Sequence, residues 1–184
     1  WVDLIFSLQQ VTDGVRLLSR ETGVNLREAA SLILEAFAGL KKSAQKVDEK
    51  DRVALQLIEA NALRLTGKAA DSLTILRTLA EAHPNDGRVQ RRYAELLLQQ
   101  PDDESLQMAL KKYREIVRRS PPQTNAWFSA KYGQATAQFK LGNATRAAQM
   151  VRMLQVLHPE LGGTELRKRF ENLLAECNEK IANP

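Results

Sequence analysis

The sequence predicts an all-α protein, laid out as a tandem array of antiparallel helix pairs. Three observations predict it. The composition is helix-forming stock, with only 9 Gly, 6 Pro and 5% aromatic residues among 184. The breakers recur on a fixed beat: Pro84, Pro121 and Pro159 stand 37 and 38 residues apart, and Gly67 and Gly142 stand 75 apart. Both histidines precede one of those prolines, as His83-Pro84 and His158-Pro159. Between the breakers apolar residues recur at helical spacing. Self-similarity at 20–50 residues is the mark of a repeat architecture.

Each element follows from that pattern. Residues 1–48 are expected to form an N-terminal helical hairpin, either a degenerate fourth repeat or an unrelated pair. Its first helix runs from about Val2 to Arg20. Its second opens on a capping box, Asn25-Leu26-Arg27-Glu28, and runs to about Ala44. The first repeat, 51–86, sets Val53, Leu57 and Ala60 on one face, followed by Leu63. Gly67 ends that helix, and a second carries Ser72, Leu76, Leu79 and Ala80 to His83-Pro84. The second repeat, 87–122, has Ala94 and Leu97, then Ala109, Tyr113 and Ile116. Its helices are joined by a longer turn, Gln100 to Ser105. The third, 123–160, has Phe128, Tyr132, Ala135 and Phe139, then Gly142, then Ala147, Val151 and Leu154. Gly past one helix end and Pro past the next are ordinary stop signals. After Gly162-Gly163, Thr164 is placed to cap a last helix over 163–182, with Leu166, Phe170, Leu173, Leu174, Cys177 and Ile181 on one face. Such a helix covers the open end of an array.

Residues 51–160 resemble the tetratricopeptide repeat family, whose helix–turn–helix unit of about 34 residues follows W-x2-L-G-x2-Y…A-x3-F…P. The small residue at the helix crossing is Ala60, Ala94 and Ala135. The A-x3-F pair becomes Ser72/Leu76, Ala109/Tyr113 and Ala147/Val151, and the closing Pro is present three times. The leading Trp is replaced by Gln56, Gln90 and Lys131. The resemblance implies a right-handed α-solenoid of antiparallel pairs in one structural domain. It also implies a protein-binding scaffold that holds a peptide along its first helices. A generic antiparallel helical bundle is the alternative architecture. By repeat position the groove-facing candidates are Asn61, Arg64, Arg88, Arg91, Tyr132 and Lys140. In some members a Lys/Asn/Arg set clamps a C-terminal carboxylate. Asn61 matches its Asn, but Leu57 stands at the Lys and Arg92 at the second Asn. Arg88 and Arg91 would therefore have to bind carboxylate differently.

Chemistry-bearing patterns are sparse. One Cys excludes a disulfide framework and a Cys-rich zinc site. His83 and His158 fall at equivalent helix ends in separate repeats, where a His satisfies a last carbonyl, and not where both could hold one metal. Nucleophile-elbow, phosphate-loop and zinc-helix motifs are missing. No catalytic residue, metal or cofactor is expected. Cys177 and the Trp127-Phe128-x3-Tyr132 cluster read as packing, with Tyr132 the position whose equivalents, Leu57 and Arg91, differ in chemistry.

The net charge of +5 is uneven. Residues 87–152 hold 12 Lys and Arg against 5 acids, leaving the rest of the chain slightly negative. The expected partner is a protein or peptide with an acidic, extended segment, and nucleic acid is the less favoured one. Lys111, Lys112, Arg114, Arg118 and Arg119 would instead lie on the outer side. An oligomerisation or docking module is the alternative function, because Trp1, Leu4, Leu8, Val11, Val15 and Leu18 have seam spacing broken by Gly14. So is an accessory domain of a larger enzyme or membrane-anchored protein, since the chain opens on Trp1 and reads as a fragment or processed chain. The most apolar window, residues 31–40, is short and carries Glu35, far from the ~20 apolar residues of a spanning helix. These features leave the compartment open.

Overall fold

The computed structural model describes residues 26–41 and 48–183. The expected helix over 2–20 with its seam, the Asn25 cap and the stretch from 42 to 44 lie outside the described residues. The described residues form eight helices and no strand. They are α1 (Leu26–Lys41), α2 (Glu49–Leu65), α3 (Ala69–Ala82), α4 (Gly87–Leu97), α5 (Asp103–Arg119), α6 (Asn125–Lys140), α7 (Ala144–Leu157) and α8 (Thr164–Ala182). No described helix is long and apolar enough to cross a membrane. The chain divides into two compact units at His83 and Pro84.

In the first unit α2 packs against both α1 and α3. Ala30 and Ile33 of α1 meet Leu55, Ile58 and Ala62 of α2 in one core cluster. On the other side of α2, Ser72 Oγ donates to the Ala60 carbonyl oxygen at 2.6 Å. That contact fixes the crossing of α2 and α3 and requires a small residue at position 60.

In the second unit α5 packs on α4 and α6, and α6 packs on α5, α7 and α8. The largest cluster joins Ala135, Ala147, Ala148, Val151 and Leu154 to Phe170, Leu173 and Cys177 of α8. Leu161, in the loop before α8, is 1% exposed in that same cluster although its φ is +48°. Burial of its side chain offsets a backbone conformation that costs an L-residue about 1–2 kcal/mol. Thr164 is not the cap of α8. It is the first helical residue, and Gly163, at φ +107°, holds the cap position. Such a φ is open to Gly and closed to Thr.

The 75-residue period appears in the backbone. α2 ends with Lys68 N donating to Leu63 O and Gly67 N to Arg64 O, and α6 ends with Asn143 N donating to Gln138 O and Gly142 N to Phe139 O. Gly67 and Gly142 have φ of +85° and +80°. This is one Schellman turn made twice, at positions only Gly takes without strain. α3 and α7 then begin and end 75 residues apart, each 14 residues long. His83 and His158 are their C-cap residues, and both donate a backbone N–H to the residue four earlier at 2.8 Å. The middle pair departs. α4 has only 11 residues and frays through short-range bonds at Gln99 and Gln100, with no Gly to turn it.

Candidate binding face

The second unit gathers its polar groups where α4, α6 and α8 meet the tip of one α5 side chain. α4 starts at Asp86, whose carboxylate accepts from the backbone N–H groups of Arg88 and Val89 at 2.9 and 3.4 Å. The Arg88 side chain folds back on the same carboxylate, with Nη2 2.9 Å from Oδ2. That hydrogen bond holds the Asp86 carboxyl below its usual range against the opposing effect of burial. Arg88 is therefore already committed to its own helix cap. Arg92 is paired with Glu95 at 3.0 Å. Arg91 lies between them, half-buried, and makes no ion pair or hydrogen bond among the described residues.

α6 supplies Tyr132 and Lys140. Lys140 Nζ donates to the Leu98 carbonyl oxygen at 2.9 Å, satisfying the C-terminus of α4. The Tyr132 ring stands edge-on to Phe170, with centroids 5.3 Å apart. The Arg169 guanidinium lies 4.2 Å from its centroid. Arg169 has no carboxylate partner among the described residues.

Tyr113 reaches this neighbourhood from α5. A Cβ on Gly133 would run into the Tyr113 ring carbons Cε1 and Cζ, so the ring fills the notch left by the glycine in α6. Its phenol is pushed far above the ordinary value, first by burial and then by the charge of Glu95, with Arg169 and Arg91 opposing. Glu95, Arg91, Tyr132 and Arg169 thus share one electrostatic neighbourhood, from three helices.

The remaining expected residues are placed as follows. Asn61 and Arg64 are half-buried on α2 of the first unit, and Arg64 Nη2 donates to Asn61 Oδ1 at 3.0 Å. His83 Nε2 is 3.3 Å from Glu49 Oε1. The His158 ring packs edge-on to Trp127 and Phe128, with centroids 5.5 and 5.6 Å away. Cys177 is fully buried, and burial pushes its thiol upward. Among the described residues no group of His, Cys, Asp and Glu is placed to hold a metal. Two of the outer basic residues of α5 are engaged. Lys112 Nζ donates to Gln90 Oε1 at 2.9 Å, and Arg119 Nη1 donates to Pro84 O at 2.7 Å.

Two members of the face are not among the expected groove residues: Arg169, which lies outside the repeats, and Tyr113, which the repeat pattern assigns to the packing pair Ala109/Tyr113. A signal existed for Tyr113. Gly133 is a lone glycine inside a strong helical pattern, which usually marks a close approach. No family model, curated protein or solved structure matches the chain.

Proposed function

We propose that the chain is a non-enzymatic scaffold of tetratricopeptide type, a right-handed α-solenoid. It binds an extended, acidic segment of a partner protein on the face of its second unit formed by α4, α6 and α8. The observation that carries this reading is the pair Arg91 and Arg169. The Arg169 guanidinium lies over the Tyr132 ring, Arg91 lies near enough to Tyr113 to oppose the rise of its phenol, and neither makes an ion pair among the described residues. Arg offers a planar fork suited to carboxylate, and a guanidinium stacked on a ring keeps its N–H edges available to a ligand. Arg88 and Lys140, committed to Asp86 and Leu98, take supporting roles, while Tyr132 forms the apolar floor. The duplicated Schellman turns and helix caps support the repeat assignment.

The test is a titration of a fluorescein-labelled extended peptide with alternating Glu and small residues. The wild-type chain should bind it with a Kd that weakens as salt rises. Arg91→Ala/Arg169→Ala should weaken binding by about tenfold or more, since hydrogen bonds to charged groups contribute about 1.5–3 kcal/mol each. Lys111→Ala/Arg114→Ala, on the exposed side of α5, should leave it unchanged. Equal loss in both double variants would reduce the effect to net charge and overturn the assignment.

A further inference from the structure

A second surface lies on the opposite side of α7. Its buried stripe, Ala144, Ala147, Ala148, Val151 and Leu154, faces the unit's core. An amphipathic helix on the surface ordinarily turns polar residues outward. Here Met153, Val156 and Leu157 are 56%, 79% and 62% exposed. Their i, i+3, i+4 spacing puts them on one patch at the C-terminal end of the helix.

The duplicated helix α3 supplies an internal control. α3 and α7 have the same length, the same cap positions and the same seven exposed positions, 75 residues apart. The chemistry at those positions differs. Where α7 has Met153, Val156 and Leu157, α3 has Thr78, Glu81 and Ala82, and where α7 has Arg146, α3 has Asp71. The backbone therefore does not need apolar residues there. α7 also contains no acidic residue at all, while Arg146 stands exposed along the same side. Arg152 has an arginine equivalent on α3, Arg77, and donates from Nη2 to Asn178 Oδ1 at 2.6 Å.

We infer that the outer face of α7 is a second docking surface, for an amphipathic helix of another protein whose apolar stripe is bordered by Asp and Glu. The three aliphatic side chains match such a stripe in the helix-in-groove manner. Arg146, where α3 has Asp71, and the absence of acids on α7 select its acidic borders. A second copy docked α7 to α7 would offer no carboxylate from that helix to meet Arg146. A lipid surface is disfavoured because the patch has three aliphatic side chains and no Trp or Phe on α7 to seat in the interface. This surface is independent of the face around Arg91 and Arg169.

The experiment uses two designed helical peptides of about 18 residues, both with Leu at i, i+3, i+4 and i+7, one bordered by Glu and its twin by Lys. The full chain should bind the Glu-bordered peptide about tenfold or more tightly than the Lys-bordered one. Met153→Thr/Val156→Glu/Leu157→Ala installs the residues of α3 and should weaken that binding by about tenfold or more, with the far-ultraviolet spectrum retained. Arg91→Ala/Arg169→Ala should leave it unchanged, which separates this surface from the first. The reverse graft on α3, Asp71→Arg/Thr78→Met/Glu81→Val/Ala82→Leu, should add a second equivalent of bound peptide. It decides the matter if the α7 variant does not fold. Four results would overturn the inference: undiminished binding by the folded α7 variant, no preference between the twin peptides, co-sedimentation with phosphatidylserine vesicles that the α7 variant abolishes, or a dimer in sedimentation equilibrium that the α7 variant dissociates.

Discussion

The pairs α2–α3 and α6–α7 are one backbone device used twice, and their differences show which residues serve the fold and which serve the surface. The six buried positions of α2 are all buried in α6, 75 residues on. Across them Val53 becomes Phe128, Leu55 becomes Ala130 and Leu63 becomes Gln138, while Ala60 and Ala62 stay Ala. Alanine persists at two positions buried almost completely in both helices, and size varies at the others. The sharpest divergence is Ile58 against Gly133. Ile58 fills its own core, whereas Gly133 makes room for a tyrosine sent from α5.

That contrast gives the largest expected effect. Gly133→Ala drives a methyl into the Tyr113 ring and should cost about 2–3 kcal/mol, because overpacking outweighs the helix propensity gained. Denaturant titration measures it. Tyr113→Ala in the same chain should remove most of the penalty, and a penalty that persists would mean that the ring is not what Gly133 accommodates.

Next comes the helix crossing. Ala94→Leu should lower stability by about 1–3 kcal/mol, and Ala60→Leu by a similar amount, since its carbonyl receives Ser72. An unchanged thermal midpoint for either places that alanine away from a tight crossing.

The smallest effect concerns caps. α4 opens on an Asp whose side chain bonds the first turn, while α3 and α7 open on Lys68 and Asn143 without a side-chain cap bond. Asp86→Ala should cost about 1 kcal/mol at neutral pH, and Asn143→Ala measurably less. The Asp86 carboxyl lies below its unfolded value of about 3.9 when folded. Its contribution is therefore complete above that value and is lost as pH falls through the folded one. Wild type and Asp86→Ala should converge in stability at acid pH, and a gap independent of pH would contradict a charged cap.

The helix ends were legible because Gly and Pro act locally. Gly67, Gly142 and the His-Pro pairs stop helices by their own backbone limits, so their spacing alone located the ends of four of the eight described helices. Thr164 misled for the same kind of reason. A good capping residue stood beside a glycine whose backbone took the position instead. The site was legible only as a face. Repeat position nominated Arg88 and Arg91 alike, but Asp86 two residues earlier engages Arg88 through a bend in the chain that periodicity does not encode. Arg169 escaped notice because its role depends on how α8 lies over Tyr132. That is a contact between helices and not a pattern within one.

The most direct measurement is amide chemical-shift mapping of the isotopically labelled chain titrated with the extended Glu peptide. Binding at the face of the second unit requires the largest shifts at Arg91, Tyr132 and Arg169, with α7 between Arg146 and Leu157 undisturbed. Shifts concentrated on the exposed side of α5, around Lys111 and Arg114, would contradict it and make the outer basic helix the acidic-partner surface.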